Sequence, residues 1–168
     1  MEKYKNKDFI FFEDETWTYS EINNTANILA HKLIEDGISH GDKVILFMEN
    51  RPSYVSTILA LNKIGAVGVL INTSLKGEPL IHCINSSNSK KCIFGAELSG
   101  SLEGVLSSIN ITAKSDIYWV QDLPNGNCPE WATDINKILD LSKTDNLSET
   151  NNVTAKDIAC LLYTSDAA

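Results

Sequence analysis

The residues best placed for chemistry in this 168-residue chain stand at its far end. There the apolar run Ile158-Ala159-Cys160-Leu161-Leu162-Tyr163 leads into Thr164 and Ser165. A run of this kind, between a polar stretch and a hydroxyl pair, reads as a strand that opens into a loop. In open parallel sheets the carboxyl ends of the strands are where ligands gather. A loop leaving that edge can offer hydroxyls and successive backbone N–H groups to phosphate oxygens, provided glycines let it curl. Thr164 and Ser165 are placed for such a contact. Taken alone, two adjacent hydroxyls are a weak motif, and an ordinary polar strand end is the plainer reading of them.

Other familiar signatures are missing. No Gly-x-Gly-x-x-Gly follows a strand, and neither a Walker loop nor a Gly-x-Ser-x-Gly elbow occurs. The stretch Gly95 to Gly104, GAELSGSLEG, is glycine-rich at the wrong spacing and reads as a loose turn and a weak helix. His31, His40 and His82 are scattered, and Cys83, Cys92, Cys128 and Cys160 contain no Cys-x-x-Cys pair, so no metal ligands are assigned. Three of the cysteines lie in or beside apolar runs, which predicts buried, reduced thiols. The carboxylates fall mostly in turns and on polar faces and read as solvated surface. No catalytic side chain is assigned.

Composition narrows the class. With 43% hydrophobic and 21% charged residues the chain suits one globular domain or a large piece of one. A net charge of −8 without clustered Lys or Arg argues against nucleic acid as a partner. The opening MEKYKNKDFIFFEDE has no apolar core long enough for a signal peptide. The longest apolar run, Ile64 to Ile71, falls far short of the roughly 20 residues a membrane span needs. The expectation is a cytoplasmic protein with peripheral membrane contact at most.

The elements that must position the hydroxyls follow from periodicity. Phe9–Phe12 and Thr16–Tyr19 flank an acidic turn and predict a β-hairpin. Thr18 and Glu21 have capping-box spacing, and Ile22, Ala26, Leu29, Ala30 and Leu33 recur at helical intervals up to Gly37. Continuous apolar runs at 44–48, 66–72, 91–94 and 116–120 predict strands buried on both faces. Between them, helices are expected from Pro52 to Gly65, from about Gly77, and more weakly over 98–109. Trp131, Ile135, Ile138 and Leu139 predict a further helix, and 142–153 reads as a polar linker before the last strand. Alternation of this kind means an α/β fold with a mainly parallel sheet, helices on both faces and right-handed crossovers. Residues 16 to 95 are expected to form its parallel βαβ core.

The segment KIGAVGVLINTSLKGEPLIHCINSS (Lys63 to Ser87) resembles the adenylate-forming acyl-CoA synthetases, above all the branch of fatty-acid-transport proteins and very-long-chain synthetases. That branch reads Lys-Leu-Gly-Ala, then Leu-Asn-Thr-Asn-Leu-Arg-Gly, then Leu-x-His-Cys. Upstream, Thr16 to Val55 is similar to the opening of the same family, and the register holds up to Ser165. In this family the last strand runs into Tyr-Thr-Ser-Gly-Thr-Thr-Gly-x-Pro-Lys. Tyr163, Thr164 and Ser165 match it; Asp166-Ala167-Ala168 do not.

The resemblance implies the N-terminal part of a large adenylate-forming domain, with residues 1–168 ending at the nucleotide loop and the last three read as a truncation scar. It implies ATP, Mg and coenzyme A as cofactors of the parent and a fatty acid as its substrate. The carboxylate would attack the α-phosphate of Mg·ATP, and the CoA thiol would then displace AMP. Thr164 and Ser165 would open the phosphate-gripping loop. This chain alone is expected to be inactive. Two other readings stay open: an adenylate-former for an aryl or amino acid, and a stand-alone module that binds without catalysis.

Overall fold

Thr18 starts the first long helix as its spacing from Glu21 predicts. In the computed structural model, which describes residues 4–121 and 126–163, the Glu21 N–H donates to Thr18 Oγ1 at 3.3 Å. The Thr18 N–H donates to Glu21 Oε2 at 2.7 Å. Both halves of the capping box are therefore closed. Strand β1 (Asp8–Phe12) and strand β2 (Glu15–Thr18) precede the helix as an antiparallel hairpin. Helix α1 (Tyr19–Glu35) buries Ile22, Ala26, Leu29, Ala30 and Leu33. Gly37, at φ 82°, then turns the chain where a side chain would be strained.

The main sheet is parallel throughout. Strands β3 (Lys43–Phe47), β4 (Val67–Ile71), β5 (Lys91–Gly95), β6 (Ile117–Val120), β7 (Thr133–Asp134) and β8 (Cys160–Tyr163) lie in the order β7-β6-β5-β3-β4-β8. Val44 pairs with Gly68 on one side and with Lys91 on the other, so β3 is central to the predicted βαβ core. Helices α2 (Pro52–Lys63), α3 (Gly77–Ser87) and α4 (Ser99–Glu103) make the crossovers.

Alternation along each strand divides the core in two. Val44, Leu46, Met48, Ile93 and Tyr118 pack against α1 and α2. Ile45, Phe47, Val69, Cys92, Phe94, Ile117 and Trp119 pack against α3 and α4. From β3 to β4 the chain steps one way with α2 on the first face. From β4 to β5 it steps back across β3 with α3 on the second face, and β5 to β6 keeps that direction and face. Reversing direction and face together preserves a single hand of crossover, as strand twist demands.

Two expectations are corrected. The stretch 98–109 is helical only over Ser99–Glu103, with 3₁₀ turns at Ala96–Leu98 and Leu106–Ser108. No helix runs through Trp131, Ile135, Ile138 and Leu139. Thr133–Asp134 instead extends the sheet beside Tyr118 and Trp119, followed by a 3₁₀ turn at Ile135–Lys137. The reason lies in the two cores. Trp131 stacks on Phe94 at 5.2 Å on the second face, while Ile135 and Leu139 pack on the first. One short helix could not serve both sides of a sheet, and a strand crossing between them can.

The polar stretch after 140 is a strap rather than a free linker. Leu147 is buried in the first core, the buried Asn27 amide donates to Thr144 O at 2.6 Å, and Lys143 pairs with Glu35. It carries the chain from one edge of the sheet to the other, over the α1 face.

All four cysteines are free, with Cys83 and Cys92 buried, Cys128 half-buried and Cys160 exposed on an edge strand. The expectation of buried thiols therefore fails at Cys160, because among the described residues β8 pairs on one side, with β4.

Thr18→Ala opens the capping box and should lower unfolding stability by about 1 kcal/mol in a urea titration. A pH effect follows from Cys92, whose thiol burial pushes up from the ordinary 9.0 to about 12. The unfolded chain loses this proton above pH 9 and the folded chain holds it. Stability from this group is therefore intact below pH 9 and falls as pH rises towards 12, by at most about 4 kcal/mol. The urea midpoint should drop between pH 8 and 11, and by less in Cys92→Ala.

Candidate functional site

Strand β8 brings the chain to the carboxyl edge of the sheet, with Leu70 opposite Leu162 and Ile71 opposite Tyr163. Thr164 and Ser165, the sequence-predicted site residues, lie outside the described residues. A cleft of about 460 Å³ opens at the strand end that precedes them. Its walls are Met48, Glu49 and Asn50 from the turn after β3, Asn72 from the turn after β4, and Leu162 and Tyr163 from β8. Asn72 fixes its own turn, since Oδ1 accepts from the Ser74 N–H at 3.0 Å and from Ser74 Oγ at 2.7 Å. Tyr54 also lines the cleft; burial first, and then charge at Cys160, raises the pKa of its phenol. It stays a neutral donor.

Beside this cleft the sheet has its topological switch point. The connection after β3 leaves towards the first face and that after β5 towards the second, so a crevice forms between them. Two charged residues that sequence reasoning passed over meet there. Arg51, with its side chain 6% exposed, pairs through Nη2 with Glu97 Oε1, whose side chain is 16% exposed. Glu97 Oε1 also accepts the Glu49 N–H at 2.9 Å. Arg51 Nε donates back to the Glu49 carbonyl at 3.2 Å. The Glu49 residue is thus held at its N–H and its C=O by two partners that are themselves paired.

Local sequence explains how both side chains arrive. Arg51 is the extended N-cap before Pro52, which occupies the first turn of α2. Glu97 sits in the 3₁₀ turn that leaves β5. At Gly95 a Cβ would collide with the Glu97 carboxylate, so a side chain there would require that carboxylate to move. The legible signal was position: each charge follows a fully apolar strand run by a few residues, on adjacent strands. Read as parts of turns, neither was assigned a role.

Residues 49–51 also wall a second cavity of about 370 Å³, on the side of the hairpin residues Phe12 and Trp17. The turn after β3 therefore divides two spaces. Among the described residues no group of three His, Cys, Asp or Glu side chains could hold a metal ion. No helix among them is long and apolar enough to cross a membrane. Removing Glu97 takes a carboxylate from a buried guanidinium. Glu97→Ala should therefore cost about 3–5 kcal/mol in chemical denaturation, well above a typical surface substitution.

Known proteins resemble this chain in sequence and in fold. Residues 1–165 match the family of AMP-binding enzymes. The chain is 28% identical over 162 residues to long-chain fatty acid transport protein 6 of Mus musculus, covering 96% of this chain and 25% of that protein. It is likewise 28% identical over 163 residues to a medium/long-chain-fatty-acid–CoA ligase of Mycobacterium tuberculosis, covering 97% of this chain and 25% of the ligase. The chain thus spans about a quarter of the length of these curated relatives. In fold it resembles an anthranilate CoA ligase solved with anthranoyl-AMP, with a TM-score of 0.82 at 22% identity over 97% of this chain and 30% of that one. With the whole described sheet inside the matched span, and the strand order that leads to its carboxyl edge in place, the chain belongs to the AMP-binding enzyme family.

Proposed function

We propose that this chain is the N-terminal part of an ATP-dependent ligase that joins a long-chain or very-long-chain fatty acid to coenzyme A. The carrying observation is the family match over residues 1–165, a span that takes in β8 and the cleft beside it. The similarity to a fatty acid transport protein and to a fatty-acid–CoA ligase supports the choice of acid. The His82-Cys83 pair after INTSLKGEPLI favours the same branch over aryl or amino acids.

In this reading the chain contributes a frame and an entry to the phosphate site. Parallel strands fix the direction in which β8 meets the edge, and Thr164 and Ser165 begin the loop that would grip ATP. Bound ATP would supply the activated phosphorus for a carboxylate, and coenzyme A the thiol that takes the acyl group. A Mg ion carried on the phosphates of ATP would neutralise part of their charge. Holding the phosphates in line and neutralising their charge is the main work such a site does. A lipid substrate fits peripheral membrane contact by the whole protein.

Two hydroxyls are a small part of a triphosphate cradle. At about 1 kcal/mol net per ordinary hydrogen bond they fall far below the roughly 8 kcal/mol of micromolar binding. The 168-residue chain by itself should therefore show no ligase activity and no saturable Mg·ATP binding in calorimetry. The whole protein should catalyse exchange of pyrophosphate into ATP that depends on a long-chain fatty acid, and form acyl-CoA when the thiol is added. Exchange with benzoate or an amino acid in place of fatty acids would move the substrate class. Fatty-acid binding without any exchange would favour a binding module.

A further inference from the structure

We infer that Glu97 and Arg51 are positioning residues for nucleotide binding, acting through the Glu49 residue that they clamp; the inference rests on the ligase reading above. Glu49 and Asn50 form the wall of the cleft that faces Tyr163, directly before the hydroxyls assigned to the phosphate loop. That wall follows a strand but belongs to none, because β3 ends at Phe47 and α2 begins at Pro52. Its conformation must come from elsewhere. The structure supplies a closed ring: Glu49 N–H to Glu97, Glu97 to Arg51, and Arg51 Nε to Glu49 C=O.

The chemistry of the ring points beyond plain stability. A buried ion pair gains little over apolar residues of similar volume, because desolvation offsets attraction. Here each member of the pair also makes a hydrogen bond to a backbone group of one residue, Glu49. It does so between the two strands whose connections part to opposite faces, where a ligand crevice forms. Gly95 adds a further sign of fit, since any side chain there would push the Glu97 carboxylate out of the ring. Pairing with Arg51 also offsets the Glu97 charge close to where a triphosphate would lie.

Four forms of the whole protein carrying this segment test the idea: wild type, Glu97→Leu, Arg51→Lys, and the reversed pair Arg51→Glu with Glu97→Arg. Steady-state pyrophosphate exchange gives KM for ATP, KM for the fatty acid and kcat, and thermal melts report folding. Both single variants should raise KM for ATP by about tenfold while KM for the fatty acid and kcat per folded enzyme stay within about twofold. The reversed pair restores opposite charges, but the guanidinium moved to position 97 offers no acceptor to the Glu49 N–H. The carboxylate moved to position 51 likewise offers no donor to the Glu49 carbonyl. The reversed pair should recover Tm relative to the singles without recovering KM for ATP. A purely structural ion pair predicts the opposite: lower Tm and less folded enzyme in the singles, unchanged KM for ATP, and full rescue on reversal. Either unchanged KM for ATP in a folded single variant, or its recovery in the reversed pair, overturns the inference. If the single variants fail to fold, the reversed pair decides it alone. Wild-type protein without fatty-acid-dependent exchange removes the ligase reading, and this inference falls with it, whereas active wild type with unaffected variants removes only the inference.

Discussion

Strand β3 has no exposed side: Val44 and Leu46 face the α1–α2 layer, Ile45 and Phe47 face the α3–α4 layer, and a parallel neighbour flanks each edge. That burial governs the rest. A parallel neighbour can be reached only by a crossover that returns over a face, so each strand requires a helix or strap to cover it. Since all strands point one way, every turn leaving a strand emerges at the same edge. The first crossover takes one face and the second takes the other, and the turns after β3 and β5 are forced apart. The crevice at the switch point is a geometric consequence of where β3 sits, before any residue in it is chosen.

Legibility in the sequence followed the strength of local signals. The four apolar runs, the Thr18–Glu21 box, Pro52 and Gly37 each state a local preference that the tertiary structure keeps, and the central βαβ core stands at the predicted residues. The Trp131–Leu139 segment misled because helical spacing assumes that its apolar residues share one partner surface. Trp131 and Ile135 serve opposite faces of the sheet, which spacing alone does not encode. The stretch 142–153 reads as a linker because Leu147, which anchors it in the first core, sits among polar residues. Asn27, buried at 0% exposure on α1, holds it from a position that reads as one more helical residue. At the candidate site, the strand that leads to Thr164 and Ser165 was legible and the clamp was not. Arg51 and Glu97 are 46 positions apart in sequence, and only the pairing of β3 with β5 brings them together.

The clamp also shows why charged residues are tolerated inside so apolar a frame. Arg51 and Glu97 are desolvated, and each alone would destabilise the fold. The turn they stabilise has unpaired backbone groups of its own, because residues between a strand and a helix have no ladder to join. Placing the charges against those groups meets both needs. Glu97 Oε1 takes an N–H and a guanidinium together, which leaves Oε2 buried without a partner among the described residues. That leftover acceptor is the cost of a ring built around one oxygen. A carboxylate held this way gives up some hydrogen bonding to fix the place of a peptide group.

Net charge sets the last constraint. A triphosphate at the proposed site would meet an unfavourable field from a chain at −8, and Glu49 stands on the cleft wall. Salt screens such repulsion within about 10 Å, but a cleft lined partly by protein is screened less than open surface. Few cations are near: Arg51 is committed to Glu97, and the other basic residues with carboxylate partners pair away from the cleft, such as Lys90 with Asp42 and Lys91 with Asp116. What the described residues could offer a phosphate at this edge is therefore uncharged donors, chiefly backbone N–H groups and hydroxyls, whose worth depends on aim rather than on charge. Donors of that kind lose most of their effect when the backbone carrying them shifts. An edge whose turns are pinned individually, at Asn72 by its own side chain and at Glu49 by the Arg51–Glu97 ring, suits donors of that kind.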